Sequence, residues 1–504
     1  MNTNLQTKSD SNLFLGAAFL FLLIRLVVIS TFPLIDPSEG RYAEISREMV
    51  ATGDDGDSGD WIVPHLDPDR PFWGKPPLYF WLAALCIKVF GSNEFSVRLP
   101  SFLFLCASLG IMYLGTAGIL SSIIRSRAAL ILASTGLFYV LSGLTLVDSA
   151  FCFAVAVALT TLFLQTYWWW GILFALGITL ALLAKGLLAI LIIVPTACCW
   201  EIFARSHFRE KIYSLLKLLA YCALGVAASI PWHIMAEFDT PGFLNYYIIG
   251  EHFRRFTEPG WVSMYGSAHI EPHGFIWLFL GLSLLPWVLL VIPVLVKYCR
   301  RDYLSNLNFS IKTNSIPIST SVSAPTSIQI LVFLLSWALV VPVIFTFSSG
   351  IMIPYLLPTL PAWSILLSLF IERYLQISPR RLVCIASIVP AGFIVVALFI
   401  LPIVGVRRSE VWIKSGLVSQ GDRINYIERL PYSAQFYSNG KATNLKGLTT
   451  NLLETRLADS IPDIYVVEKK NTRDLTLLRA NNSLEQILNN PKNIVFRELL
   501  TKQH

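Results

Sequence analysis

Long apolar runs separated by short basic loops constrain this chain more than any other feature. A helix needs about 17 to 25 apolar residues to cross a bilayer, and such runs occur at roughly 13–33, 101–120, 128–147, 149–166, 168–184, 187–204, 213–235, 274–297, 328–348, 352–371 and 382–403. Composition agrees: 14% of the 504 residues are charged and 55% are hydrophobic, against about 25% charged in soluble domains. The expected fold is an all-α polytopic membrane bundle of about 11–13 spans. The run Leu78 to Phe90 is too short to cross and reads as an interfacial or re-entrant helix.

Charge sets the topology. With the N-terminus inside and 78–90 not crossing, the loops at Arg125 to Arg127, Arg205 to Lys211, Lys297 to Lys312 and Arg373 to Arg381 all face inward, as the positive-inside rule requires. The net charge of +7 is therefore a topology signal, not a nucleic-acid footprint. Met1 to Asn12 lacks a basic region and a cleavage site, so the first run reads as a retained anchor. Arg25 interrupts that run and reads as a buried pairing group. All eight cysteines lie in or beside apolar runs, which argues against a disulfide framework and a Cys-ligated zinc site.

The same topology places the isolated charges on the outer side. Asp36 and Glu39 follow the first run, Lys75 precedes Pro76 and Pro77, and Asp148 stands between two runs. Lys185 is followed by Gly186, the segment after Trp232 carries Glu251-His252-Phe253-Arg254-Arg255-Phe256, and Tyr355 follows Ser348-Ser349-Gly350. Such convergence is what a site at a membrane surface needs. Each has a plainer reading: Asp36-Pro37-x-Glu39 is a helix start, Asp148-Ser149 is another, Lys75 could snorkel, and the arginines could touch anionic head groups.

The series Asp36-x-x-Glu39-Gly40-Arg41-Tyr42, Gly59-Asp60-Trp61 with Pro64, Lys75-Pro76-Pro77-Leu78-Tyr79 and Arg98-Leu99-Pro100-Ser101 resembles the bacterial aminoarabinose transferases and the related protein mannosyltransferases. These are integral-membrane enzymes of the GT-C type that take a sugar from a polyprenyl phosphate carrier. The resemblance implies a GT-C-like fold and a glycosyltransferase acting on a lipid A or protein acceptor at the outer face of the inner membrane. It implies catalytic roles for Asp36, Glu39, Asp148 and Lys185, and carrier-phosphate binding by Lys75, Arg254, Arg255 and Tyr355. His252 follows the same basic motif, and His269 and His273 read as interfacial. The pattern departs at Gly74, where relatives often have an acid, and at Ile351, where many have a lysine. No metal ligands are assigned, and a divalent metal stays open as a cofactor. The acidic insert at Asp54 to Asp60 lacks the late glutamate of a calcium loop and reads as solvated.

The expected division is a transmembrane domain over 1–403, with outward loops at 33–100 and 236–273, and a soluble periplasmic α/β domain over 404–504. The last segment carries 15 Lys and Arg against 10 Asp and Glu. It reads as strands at Asp463 to Val467 and Asn493 to Arg497 with a helical stretch around Leu484 to Asn489, and 306–326 reads as a flexible loop. A transporter or flippase of a lipid-linked glycan is the alternative; it predicts internal repeats and mid-membrane charges, whereas here the charges gather at span ends. If Asp36 caps a helix, the backbone N–H groups it accepts would hold it ionised and make it a weak base.

Overall fold

The structure is a computed structural model, and it describes residues 2–51, 59–165, 167–205, 207–258, 261–267, 270–299, 326–419, 421–445, 447–457 and 461–499. Most of the acidic insert, His269 and most of the 306–326 loop lie outside the described residues, as does the inward loop beyond residue 299. The chain divides into two compact units: Met1–Val27, Trp73–Tyr79 and Arg98–Phe393 form the first, and Val28–Phe72, Phe80–Val97 and Ile394–His504 the second.

The first unit is helical. Among the described residues six helices of the chain are long and apolar enough to cross a membrane, or seven if the bent pair Phe275–Ser283 and Trp287–Val294, which turns by 93°, counts as one span. Shorter apolar helices cover Leu78–Phe90, Asp148–Leu164, Trp170–Lys185 and Leu188–Ala204. The run expected to cross at 128–147 is broken. It ends one helix at Ser134 and begins another, Gly136–Leu141, whose first N–H donates to the Leu285 carbonyl at 2.9 Å. Arg25 fits this break: fully buried, it donates to the Tyr139 and Val140 carbonyls at 3.0 Å each and stacks 4.4 Å from the Phe393 ring. A guanidinium costly to bury alone thus meets two carbonyls at the end of a short helix.

Two antiparallel helices position the site. Asp148–Thr161 packs along Trp170–Lys185, and the small residues Ala158 and Gly177 let their backbones approach. Asp148 at the start of one helix and Lys185 at the end of the next therefore lie at the same end of the pair.

The second unit is built on a five-stranded sheet. Its strands are β1 (Arg423–Ile427), β2 (Ala442–Leu445), β3 (Asp463–Glu468), β4 (Leu484–Asn489) and β5 (Asn493–Glu498), in the order β2-β1-β3-β5-β4. The first three run parallel, and β5 is antiparallel to β3 and β4. Period-two alternation sends Ile424, Tyr426, Ile464 and Val466 to one core and Ile427, Tyr465 and Val467 to the other. Both faces are covered, as parallel strands require.

Residues 484–489 correct the expectation of helix. Six residues are marginal as a helix, and the turn at Asn490 to Lys492 returns the chain as β5, so the segment pairs as a strand. The helix after Asp36 also starts later than expected. It covers Ser38–Glu48, with Pro37 at the cap position and no side-chain cap. Glu39 instead accepts the Ile35 N–H at 3.0 Å.

Candidate functional site

The Lys185-Gly186 turn fixes one wall of a cavity in the first unit. Gly186 has φ +70°, and a Cβ there would lie 2.1 Å from the Tyr247 hydroxyl and 2.6 Å from His252 Nε2, so both the backbone and the space demand glycine. The Leu187 N–H donates to His252 Nε2 at 3.0 Å, while His252 Nδ1–H donates to the Tyr247 carbonyl at 2.8 Å. One ring nitrogen accepts and the other donates, which fixes a neutral tautomer. Burial lowers the His252 pKa in the same sense.

His252 and Tyr247 lie in a π-helix, Tyr246–Arg254, a rare form that recurs at functional sites. Its wider turn brings Tyr246 over Glu251, to which the tyrosine donates at 3.2 Å. The same carboxylate receives Arg255 at 2.8 Å and Lys75 at 3.3 Å. Burial works to raise the Glu251 pKa, but Lys75 and Arg255 together hold it below its ordinary value. Burial lowers the Lys75 pKa, with Glu251 opposing and Arg255 adding to the shift. The loop before Lys75 is held where the Tyr265 hydroxyl accepts the Trp73 N–H at 2.9 Å and Trp73 Nε1 donates to Thr240 at 3.0 Å.

Across the cavity Lys185 is ion-paired with Asp148 and stands 4.2 Å from the centre of the Tyr355 ring. The cavity of about 420 Å³ is lined at its polar end by Lys75, Lys185, Glu251, Arg255 and Tyr355. Leu187, Leu188, Leu191, Ile344 and Phe345 supply apolar walls. The Tyr247 hydroxyl also lines it, buried and without a hydrogen-bond partner among the described residues, a polar atom left for a ligand.

The structure thus brings Lys75, Lys185, Arg255 and Tyr355 around one cavity, with Asp148 behind Lys185. Arg254 does not line it: 57% exposed, its side chain lies 3.8 Å from Glu258. His273 is exposed. Nothing in the local sequence distinguishes Glu251 and Tyr247 as site residues. The Glu251-to-Arg255 spacing is that of an ordinary helical ion pair, and nothing local announces a π-turn.

Asp36 and Glu39 belong to the second unit. Asp36 accepts the Ser433 N–H at 3.0 Å and the Ser433 hydroxyl, and its own N–H donates to the Arg408 carbonyl at 2.9 Å. Gly40 makes room, since a Cβ there would meet Asp36 Oδ1 at 2.2 Å. The hydrogen bonds come from Ser433, not from the helix that follows. They do not hold the group fully ionised: burial pushes the Asp36 pKa up to about 6, with the Ser433 bonds opposing and the nearby Glu410 adding to the rise. The weak base expected of a helix cap is instead a carboxyl titrating near neutrality.

The comparisons bear on this arrangement. The sequence profile of the dolichyl-phosphate-mannose-protein mannosyltransferase family matches residues 11–247. The undecaprenyl phosphate-alpha-4-amino-4-deoxy-L-arabinose arabinosyl transferase 2 of Pseudomonas fluorescens is 30% identical over 373 residues, covering 72% of this chain. The crystal structure of ArnT from Cupriavidus metallidurans bound to undecaprenyl phosphate superposes with a TM-score of 0.67 at 16% identity, covering 95% of this chain and 97% of that one. The chain is a member of the aminoarabinose transferase and protein mannosyltransferase superfamily. Its fold is that of the Cupriavidus ArnT, and like other members of this superfamily it is a multi-pass membrane protein. An arabinosyl transferase of the same name from Shewanella sediminis is 27% identical over 375 residues. The chain spans 57% and 60% of the lengths of these Pseudomonas and Shewanella relatives. For a divalent metal, the described residues contain no group of three or more His, Cys, Asp or Glu able to hold an ion.

Proposed function

We propose that this protein transfers a sugar from a polyprenyl phosphate carrier to an envelope acceptor, at the outer face of the bacterial inner membrane. The observation that carries this reading is the first unit's cavity, where Lys75, Lys185, Arg255 and the Tyr247 hydroxyl meet walls of leucine, isoleucine and phenylalanine. A phosphate on a prenyl chain asks for that combination. The Cupriavidus ArnT binds undecaprenyl phosphate, and the Pseudomonas and Shewanella relatives are named for undecaprenyl phosphate aminoarabinose.

The charges fit the chemistry. A carrier-linked sugar is a phosphodiester with one negative charge, and Lys75, Arg255 and Glu251 together carry a net single positive charge. As the anomeric carbon to oxygen bond breaks, the phosphate becomes a monoester and gains charge, with a second pKa of about 6. Lys75 and Arg255 stabilise that gain, since preorganised charges contribute most where charge develops. Asp148 holds Lys185 in place, and Tyr355 carries the lysine on its ring face. Arg254, exposed beside Glu258, is left to the outer approach.

In the second unit, Asp36 has the chemistry of a general base, being ionised at neutral pH but still willing to take a proton. Glu39 fixes the turn that carries it. The sugar is aminoarabinose or a hexose such as mannose, and the acceptor is lipid A or protein. Residues 404–504 are assigned to the periplasmic side as an α/β domain.

Purified protein supplied with synthetic undecaprenyl phosphate aminoarabinose or mannose, and with lipid A or envelope protein, tests this. Transfer from one donor is expected, with Lys75→Ala raising the apparent KM for it. No transfer in any of the four combinations contradicts the reading. Mass spectrometry of envelopes from cells with and without the protein separates the branches through a missing pentose on lipid A or a missing hexose on protein.

A further inference from the structure

Ser433 ties Asp36 to a second buried acid. Its hydroxyl donates to Asp36 and accepts the Glu410 N–H at 3.0 Å. A hydroxyl has a single proton to give, so the Glu410 N–H on its oxygen leaves that proton aimed at Asp36. The Asp36 N–H in turn donates to the Arg408 carbonyl at 2.9 Å. Residues 408–410 therefore hold Asp36 at two points, once directly and once through Ser433.

Glu410 is only 2% exposed, and three neutral donors converge on its carboxylate. They are Trp412 Nε1 at 2.6 Å, the Tyr426 hydroxyl at 3.0 Å and Asn493 Nδ2 at 2.9 Å. Such donors favour the ionised form without cancelling its charge. Among the described residues the one cation within ion-pair distance is Lys492, at 3.8 Å. The same sheet shows how an acid is buried for structure alone: Asp463, also fully buried, receives two bonds from the Arg423 guanidinium, at 2.8 and 3.0 Å. Glu410 has no such fork, and its charge stands.

We propose that Glu410 is a positioning residue for Asp36: through Ser433 and through its own buried charge, it keeps Asp36 able to take up and release a proton. This deepens, and rests on, the reading of Asp36 as a general base. Burial is the main cause of the raised Asp36 pKa; Glu410 adds to the rise, while Ser433 and Lys492 work against it. Tyr426, beside both acids, is pushed well above its ordinary pKa by burial, then Glu410, then Asp36, so it stays a donor. Glu39 lies in the first turn of the helix after Asp36. The crevice beside Asp36 also carries Asp67, paired with Arg70 at 3.2 Å, and Glu428, Arg407, Arg408 and Arg429. These groups are common to every variant below and cancel in the comparison.

The test is thermal unfolding of the full-length protein in detergent as a function of pH, with and without Asp36→Asn in each background. The stability gained by Asp36→Asn grows with pH and levels off once Asp36 is ionised in the folded protein. The levelling pH thus reads the titration of Asp36 whether or not a sugar is transferred. With Glu410→Gln it should move down by at least about half a pH unit, and with Lys492→Gln it should move up. Arg473→Gln, which removes an exposed charge from the same unit, should leave it in place. A merely structural role predicts a lower melting temperature at every pH and no movement of the levelling point. That result, or movement in the same direction for Glu410→Gln and Lys492→Gln, overturns the proposal. If Glu410→Gln does not fold, Ser433→Ala replaces it: losing the bridging hydroxyl should move the point up, and an unmoved point contradicts the proposal. In transfer assays the acid limb of kcat should follow the same shifts, with the KM for donor changed by less than about two-fold. Opposite shifts in unfolding without transfer by any variant would uphold the coupling and contradict the transfer function.

Discussion

Glu251 in the first unit and Asp36 in the second are both largely buried carboxylates, yet they behave in opposite ways. Glu251 is met by Lys75 and Arg255 and stays below its ordinary pKa despite burial, whereas Asp36 accepts hydrogen bonds from Ser433 and is pushed up to about 6, with burial the main cause. Burial is common to both, so the partner decides. A carboxylate answered by two cations is a fixed countercharge, and one answered by a hydroxyl and an N–H is a group that can exchange a proton.

The largest effect is expected at Glu251. Glu251→Gln leaves Lys75 and Arg255 facing each other without their shared anion. Removing one partner of a buried pair costs about 3–5 kcal/mol, and the partial exposure of both cations puts the expected loss toward the lower figure. Thermal unfolding in detergent reads it, and a midpoint equal to wild type would mean the three groups are not coupled.

Asp36 sharpens the other side through pH. Its folded pKa of about 6 exceeds the ordinary 3.8, so the folded protein holds this proton more tightly than the unfolded chain. The associated stability is fully present below about pH 4 and is lost as pH rises through about 6. Asp36→Asn should therefore be more stable than wild type at pH 8, by about 3 kcal/mol, and show no such gain near pH 4. In transfer assays, wild-type rate should fall as pH drops through about 6. Asp36→Asn should be severely impaired if the acceptor is a hydroxyl or the sugar carries an amine, and modestly impaired for a neutral sugar going to phosphate. An unaltered acid limb in the mutant removes Asp36 from the chemistry.

Gly186→Ala gives a smaller effect, about 1–2 kcal/mol, from positive φ and the crowding of Tyr247 and His252. Because Lys185 precedes the turn, kcat should fall with it. Stability and kcat both at wild-type values would show that the turn relaxes freely.

Much of this was legible in sequence because charge is conspicuous in apolar surroundings. Asp148, Lys185 and Tyr355 stand at the ends of apolar runs, Lys75 just before one and Arg255 in the basic motif of an outward loop, and the runs foretold the helical bundle. What could not be read depended on contacts distant along the chain or on unusual local geometry. Ser433 is 397 residues from the Asp36 it holds, so the local helix-cap reading was the natural one. The π-helix aligns Tyr246 with Glu251 at a spacing an α-helix does not use. Residues 484–489 carry no decisive periodicity, and β5 alone makes them a strand.

In the proposed mechanism Lys75 and Arg255 hold the carrier phosphate in the first unit's cavity. It is tested most directly by the affinity of purified protein for undecaprenyl phosphate, compared with Lys75→Ala and Arg255→Ala. Each lost charge-assisted bond is worth about 1.5–3 kcal/mol, so each mutant should bind at least about ten-fold more weakly, with Arg473→Gln binding as wild type. Wild-type affinity in both alanine mutants would contradict the account.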